Sequence, residues 1–123
     1  MRVVIADDEP AFLDALHALI EGQSELSVVG SAGDGLEAVE LVDRLEPDAV
    51  VIDLHMPRLD GVSAVRQLRL DHPQLCLIAL TGDPDPGLHR AADEAGADAV
   101  LLKGELVETL LERLRAVGPR GSG

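Results

Sequence analysis

The chain predicts an α/β fold, a doubly wound sheet of five parallel strands in the order 2-1-3-4-5 with helices on both faces. Two observations carry this. Short apolar, β-prone runs end near positions 7, 30, 53, 81 and 103, and segments of helical period lie between them, so the units alternate β and α. Four of the runs are apolar without interruption, as strands buried on both faces of a parallel sheet are, whereas the second holds a polar residue and suits an edge. No leucine-rich or helical-repeat consensus accompanies the period, which sets a solenoid aside.

The first run is Val3–Ala6. A helix then begins at Pro10, tolerated in a first turn that needs no amide donor, carries Phe12, Leu16, Leu19 and Ile20 on one face, and stops at Gly22. Leu26–Val29, interrupted by Ser27, is the edge strand. Gly30–Gly35 does not spell the dinucleotide fingerprint and reads as a loop into a second helix with Ala38, Leu41, Val42 and Leu45 inward. Ala49–Ile52 is the third strand and Leu77–Leu80 the fourth. Asp83-Pro84-Asp85-Pro86-Gly87 reads as a breaker-rich loop entering a short or late-starting fourth helix. Ala99–Leu102 is the last strand, followed by an apolar stripe of Val107, Leu110, Leu111, Leu114 and Val117. Right-handed crossovers connect such units into one doubly wound sheet. Residues 1–118 form one domain, and 119–123 read as a flexible tail or linker.

Composition narrows the function. Hydrophobic residues make up 46% of the 123 and aromatics 1%, so Val, Leu, Ile and Ala fill the core around the lone Phe12 and recognition does not rest on stacking. A net charge of -13 argues against direct binding to nucleic acid or an anionic membrane. No run approaches the roughly 18 apolar residues that span a bilayer, and one cysteine gives no disulfide framework; a soluble, cytoplasmic protein is expected. Cys76, inside LCLIAL, reads as a small buried hydrophobe. His17, His72 and His89 read as surface or helix-end residues.

In this strand order the winding reverses between strands 1 and 3, and ligands bind outside the carboxyl ends of the strands at that point. Asp7, Asp8 and Asp53 flank the crevice. Three carboxylates so close repel one another unless a cation neutralises them, and Mg²⁺, which favours oxygen ligands, suits them. A carboxylate can attack phosphorus to form an acyl phosphate, and Asp53, alone at the end of the central strand, is the candidate nucleophile. Lys103 offers a compact positive charge and Thr81 a hydroxyl donor to phosphoryl oxygens.

IADDEP, VIDLHMPRLDG, ALTG and AGADAVLLKG stand in the order and spacing of a known family: over residues 1 to 118 the chain resembles a receiver domain of bacterial two-component response regulators. The resemblance implies a flavodoxin-like fold in which Asp53 accepts a phosphoryl group from a sensor histidine kinase in the presence of Mg²⁺. It makes Asp8 a direct metal ligand, Asp7 a ligand through water, and Asp53 and the His55 backbone carbonyl further ligands. Thr81 and Lys103 would bind the phosphoryl group, with Pro57 and Gly61 in the loop after the acceptor. His55 and Asp83 are candidates for tuning the lifetime of the acyl phosphate.

The sequence departs from the family pattern twice. Val100 stands at the switch position usually held by an aromatic, which would alter its coupling to Thr81, and Gly104 replaces a frequent proline. The implied output is a changed surface on helix 4, strand 5 and helix 5, a helix-turn-helix DNA-binding domain in a longer chain or another partner protein, and a homodimer on phosphorylation. Two other readings compete with this phosphorylated switch, which promotes its own modification and is not a turnover enzyme. One is a Mg²⁺-dependent aspartyl-phosphate phosphatase, although such enzymes place a second acid where His55 stands. The other is an interaction module of the same fold that no longer uses phosphate.

Overall fold

The computed structural model describes residues 1–56 and 58–117, with the side chains of 105–108 and 117 excepted. Pro57 and the tail at 119–123 thus lie outside the described residues, as do the side chains of Val107 and Val117. The elements are β1 (Arg2–Ala6), α1 (Pro10–Glu21), β2 (Ser27–Ala32), α2 (Gly35–Leu45), β3 (Ala49–Asp53), α3 (Gly61–Asp71), β4 (Cys76–Thr81), α4 (Pro86–Ala95), β5 (Ala99–Leu102) and α5 (Leu106–Val117), with a single 3-10 turn over Lys103–Glu105. All neighbouring strands pair in parallel in the order β2-β1-β3-β4-β5. The expected topology is the one observed.

Alternation along the strands builds two cores. Val3, Ile5, Val51, Ile78 and Leu80 point to one face, where Leu16 and Ile20 of α1 and Leu110 and Leu114 of α5 cover them. Val4, Ala6, Val50, Ile52 and Leu77 point to the other, under Val39 and Val42 of α2, Val65 and Leu68 of α3 and Ala92 of α4. β3 and β4 are buried throughout, which is why they read as unbroken apolar runs. Cys76 is buried as expected.

Two boundaries differ from the sequence reading. β2 continues through Gly30 and Ser31 to Ala32, where a loop was expected, because these residues pair with Val4, Ile5 and Ala6 after a register shift between Val3 and Val4. Ladder bonds to β1 outweigh the poor strand propensity of Gly and Ser there. α4 starts inside the breaker-rich segment: Asp85 caps it, its carboxylate accepting from Gly87 N at 2.9 Å, and Pro86 occupies the first turn.

Two glycines hold the site-bearing loops against the sheet. A Cβ on Gly61 would lie 2.3 Å from Leu54 Cα, so only glycine lets the start of α3 press onto the end of β3. Asp60 caps that helix through Ser63 N at 2.9 Å, and these backbone bonds hold its carboxyl below the usual range. A Cβ on Gly35 would meet Leu59 O at 1.9 Å, which fixes α2 against the same loop.

Candidate functional site

β1 and β3 are neighbours, so Asp7, one residue past β1, and Asp53, the last residue of β3, emerge side by side at the carboxyl edge. Asp7 is fully buried and Asp53 2% exposed, while Asp8 is exposed. Each of the three offers a carboxylate oxygen, and these oxygens lie within 4.8 Å of one another. Asp7 does not cap α1, whose cap position is Glu9; its Oδ1 accepts from Glu9 N at 2.8 Å and so shapes the loop.

Lys103 enters from the end of β5. Its ammonium lies 2.7 Å from Asp7 Oδ2, 3.4 Å from Asp53 Oδ2 and 3.6 Å from Glu9 Oε1. The approach to Asp7 is a close ion pair, and no donor besides Lys103 reaches the buried Asp7 Oδ2 among the described residues. One cation therefore faces three carboxylates. Burial pushes the Asp53 carboxyl above its usual range against the pull of the His55 amide, which donates to Oδ1 at 3.2 Å, and the Asp7 charge adds to the rise. Burial alone would lower the Lys103 ammonium, but its pairing with Asp7 and the charge of Asp53 outweigh that and raise it.

Thr81 ends β4, buried, with Leu54 N bonded to Leu80 O at 2.9 Å to hold the two strand ends level. Its Oγ1 accepts from Asp83 N at 3.0 Å and lies 3.4 Å from His55 Nε2, so the imidazole leans over the hydroxyl. Asp83 turns its carboxylate to its own loop, where Oδ1 accepts from Asp85 N at 3.0 Å. Asp8, Glu9, Asp53, His55, Gly82, Asp83 and Lys103 line one open cleft of about 360 Å³. A groove of about 310 Å³ between α1 and β2 is comparable in size, but Asp14 and His17 are its only titratable lining residues. The clustered carboxylates and the lysine lie in the first.

The structure thus brings Asp7, Asp8, Asp53 and Lys103 together, with His55, Thr81 and Asp83 at the rim. Val100 is apart: partly buried in β5, it pairs with Ala79, two rungs short of Thr81, and packs on the core under α2, α3 and α4. Gly104 is exposed, in the 3-10 turn, with nothing near its missing Cβ. His17 is exposed, and His72 caps α3 while pairing with Asp43 at 2.7 Å. His89 reaches from α4 to Asp83 O at 3.3 Å. Sequence reasoning missed Glu9 and Phe12, the latter with its ring centroid 4.3 Å from Lys103 Nζ.

One protein-family sequence model covers nearly the whole chain. That model, the response regulator receiver domain, matches residues 3–115. The chain belongs to this family. Response regulator MprA of Mycobacterium leprae is 40% identical over 119 residues, 95% of this chain and 50% of that protein. Transcriptional regulatory protein YdfI of Bacillus subtilis is 36% identical over 94% of this chain and 54% of its own length. The chain spans about half the length of these curated relatives. Among solved structures, the response regulator domain of Thermotoga maritima CheB matches with a TM-score of 0.88 at 29% identity, covering 95% of each chain. This receiver is accordingly a signalling domain of two-component systems with the flavodoxin-like fold. Among its described residues no helix is long and apolar enough to cross a membrane.

The acidic pocket fits a small divalent cation. Its donors are all carboxylate oxygens, one of them a buried atom that among the described residues only Lys103 approaches, and excess negative charge surrounds it. Hard oxygen donors without sulfur or imidazole favour Mg²⁺-like ions over zinc or copper.

Proposed function

We propose that this receiver accepts a phosphoryl group on Asp53 from a sensor histidine kinase, with Mg²⁺ held by Asp7, Asp8 and Asp53, and the His55 carbonyl as a further ligand from the family resemblance. The single observation that carries the reading is the Asp53 carboxylate itself: buried to 2% exposure, beside two further carboxylates, with Lys103 Nζ at 3.4 Å. Burying a charge so poorly compensated costs stability, and chemistry at that atom explains its retention.

In the proposed step an Asp53 carboxylate oxygen attacks phosphorus. A P–O bond forms as the donor's P–N bond to imidazole breaks, and the departing nitrogen takes a proton. A bound Mg²⁺ would neutralise charge on the phosphoryl oxygens and on the three carboxylates. Lys103, already aimed at Asp53 Oδ2, follows the added oxygens, and Thr81 turns its hydroxyl from Asp83 N to donate to one of them. That change releases the Asp83 backbone and remodels the β4–α4 loop, which alters the surface of α4, β5 and α5. His55 and Asp83, at the rim, set how readily water reaches the acyl phosphate. A DNA-binding output in a longer chain and a phosphorylation-dependent homodimer belong to the same reading; the half-length match and the naming of YdfI as a transcriptional regulatory protein support the former.

Acetyl phosphate with Mg²⁺ tests the chemistry. One phosphoryl mass should appear on the wild type and none on Asp53→Ala or with the metal chelated. Equal labelling of Asp53→Ala, or no labelling at all, removes the reading. Sustained multiple turnover of an aryl phosphate would favour the phosphatase instead.

A further inference from the structure

Four groups enclose the Lys103 ammonium, and three of them come from the short segment that leaves β1. Asp7, Glu9 and Asp53 bring charge; the fourth is the Phe12 ring, its centroid 4.3 Å from Nζ. Phe12 is the one aromatic residue in 123. It stands in the first turn of α1, where Phe12 N donates to Glu9 O at 3.0 Å, only partly buried where the core under α1 and α5 meets the cleft. A residue filling that core alone would need no ring and no approach to a cation.

The geometry points to Phe12 as a positioning residue for Lys103, holding the ammonium over Asp53 without neutralising it. No other type of side chain would do this as well. A further carboxylate would bind the ammonium more strongly but compete with Asp53 and deepen the local repulsion. An aliphatic chain would pack but attract no charge. A ring face attracts the cation through its quadrupole, carries no net charge, and shields one side from water. The ammonium donors are then turned toward Asp7 and Asp53 and, resting here on the function proposed above, toward the oxygens of a phosphoryl group on Asp53.

The test compares Phe12→Leu, which keeps apolar bulk, with Phe12→Tyr, which keeps the ring, each in the full chain. In proton NMR the Lys103 Hε resonances should be shifted upfield by the ring in the wild type and Phe12→Tyr, and return to ordinary positions in Phe12→Leu. With acetyl phosphate and saturating Mg²⁺, Phe12→Leu should label Asp53 about three- to tenfold more slowly, while Phe12→Tyr stays within about twofold of the wild type. In a Lys103→Ala background the leucine substitution should add no further loss, which a merely structural role would not produce. Wild-type labelling by Phe12→Leu, an equal loss in the Lys103→Ala background, or a tyrosine variant as slow as the leucine one each overturns the inference. Should the wild type itself take no phosphoryl group, the reading of Asp53 fails and the NMR comparison alone decides: Lys103 resonances unmoved by Phe12→Leu overturn the positioning role, and their return to ordinary positions sustains it.

Discussion

The two edges of the sheet use the same residue types to opposite ends. At the amino edge, Arg69 of α3 donates to Gly96 O at 2.9 Å, to Pro73 O and Leu75 O at 2.8 Å, and to Asp98 Oδ2 at 2.8 Å. Asp98 Oδ2 also accepts from Leu77 N at 2.8 Å, and Asp48 Oδ2 accepts from Arg2 N at 2.7 Å. Each carboxylate there serves a backbone amide. At the carboxyl edge Asp7, Glu9 and Asp53 share one lysine, and among the described residues no other donor reaches the buried Asp7 Oδ2. An aspartate at a strand end is structural when its charge is matched by its own donors, and becomes a candidate for chemistry when several carboxylates crowd one cation.

Removing Arg69 is the strongest challenge to that contrast. Arg69→Ala leaves the carbonyls of Leu75 and Gly96 and one Asp98 oxygen short of donors, and it deletes the side chain that packs against Gly96, whose φ of 118° closes the turn into β5. A loss of about 2–4 kcal/mol follows. Urea unfolding should show the midpoint falling while the rate of Asp53 labelling, for the folded fraction, stays within about twofold. A labelling rate that collapsed with stability would mean that the two edges are not independent.

The carboxyl edge should respond with the opposite sign, and by less. Because burial raises the folded pKa of Asp53, the folded state holds that proton more tightly than the unfolded chain does. Its contribution to stability is fully present below the ordinary carboxylate pKa of about 3.9 and is lost as pH rises through the raised folded value. At neutral pH Asp53 therefore weighs against the fold. Asp53→Asn, nearly isosteric and neutral, should raise Tm by about 3–6 °C at pH 7 without metal, the response of a chain this size to roughly 1 kcal/mol. The gain should shrink as pH is lowered toward about 4. Mg²⁺ should stabilise the wild type more than the variant, by mass action on the folded state. A variant that melts at or below the wild-type temperature at pH 7 would show that Asp53 is better compensated than its neighbours indicate.

The carboxyl edge was legible in the sequence because its parts are local. Asp7, Asp8, Asp53, Thr81 and Lys103 each end or follow an apolar run, and topology alone brings such ends together. The amino edge was not, because Arg69 bonds mostly to carbonyls, which any residue supplies, and nothing in its neighbourhood marks it. β2 was read too short since Gly30 and Ser31 owe their strand conformation to β1 and not to their own preference. Pro86 looked like a breaker because a proline in a first turn and one in a loop read alike until Asp85 is seen to cap. Glu9 and Phe12 escaped because their link to Lys103 joins opposite ends of the chain. The solitary aromatic was the one clue available.

The finest test lies within the carboxyl edge, between residues inside the cleft and those at its rim. His55 Nε2 stands 3.4 Å from Thr81 Oγ1, while the Asp83 carboxylate is turned back to Asp85 N at 3.0 Å. On the function proposed above, the imidazole beside Thr81 would therefore hinder water more than a carboxylate held by its own loop. His55→Ala should change the first-order loss of the acyl phosphate by about two- to fivefold, under about 1 kcal/mol in barrier. Asp83→Ala should change it by less, since that carboxylate must first leave its own loop. Decay followed by mass spectrometry after removing the donor gives both numbers. Identical decay in the wild type and both variants would confine control of lifetime to Asp53, Thr81, Lys103 and the metal, and a larger effect at Asp83 would show that the β4–α4 loop opens once phosphate is present.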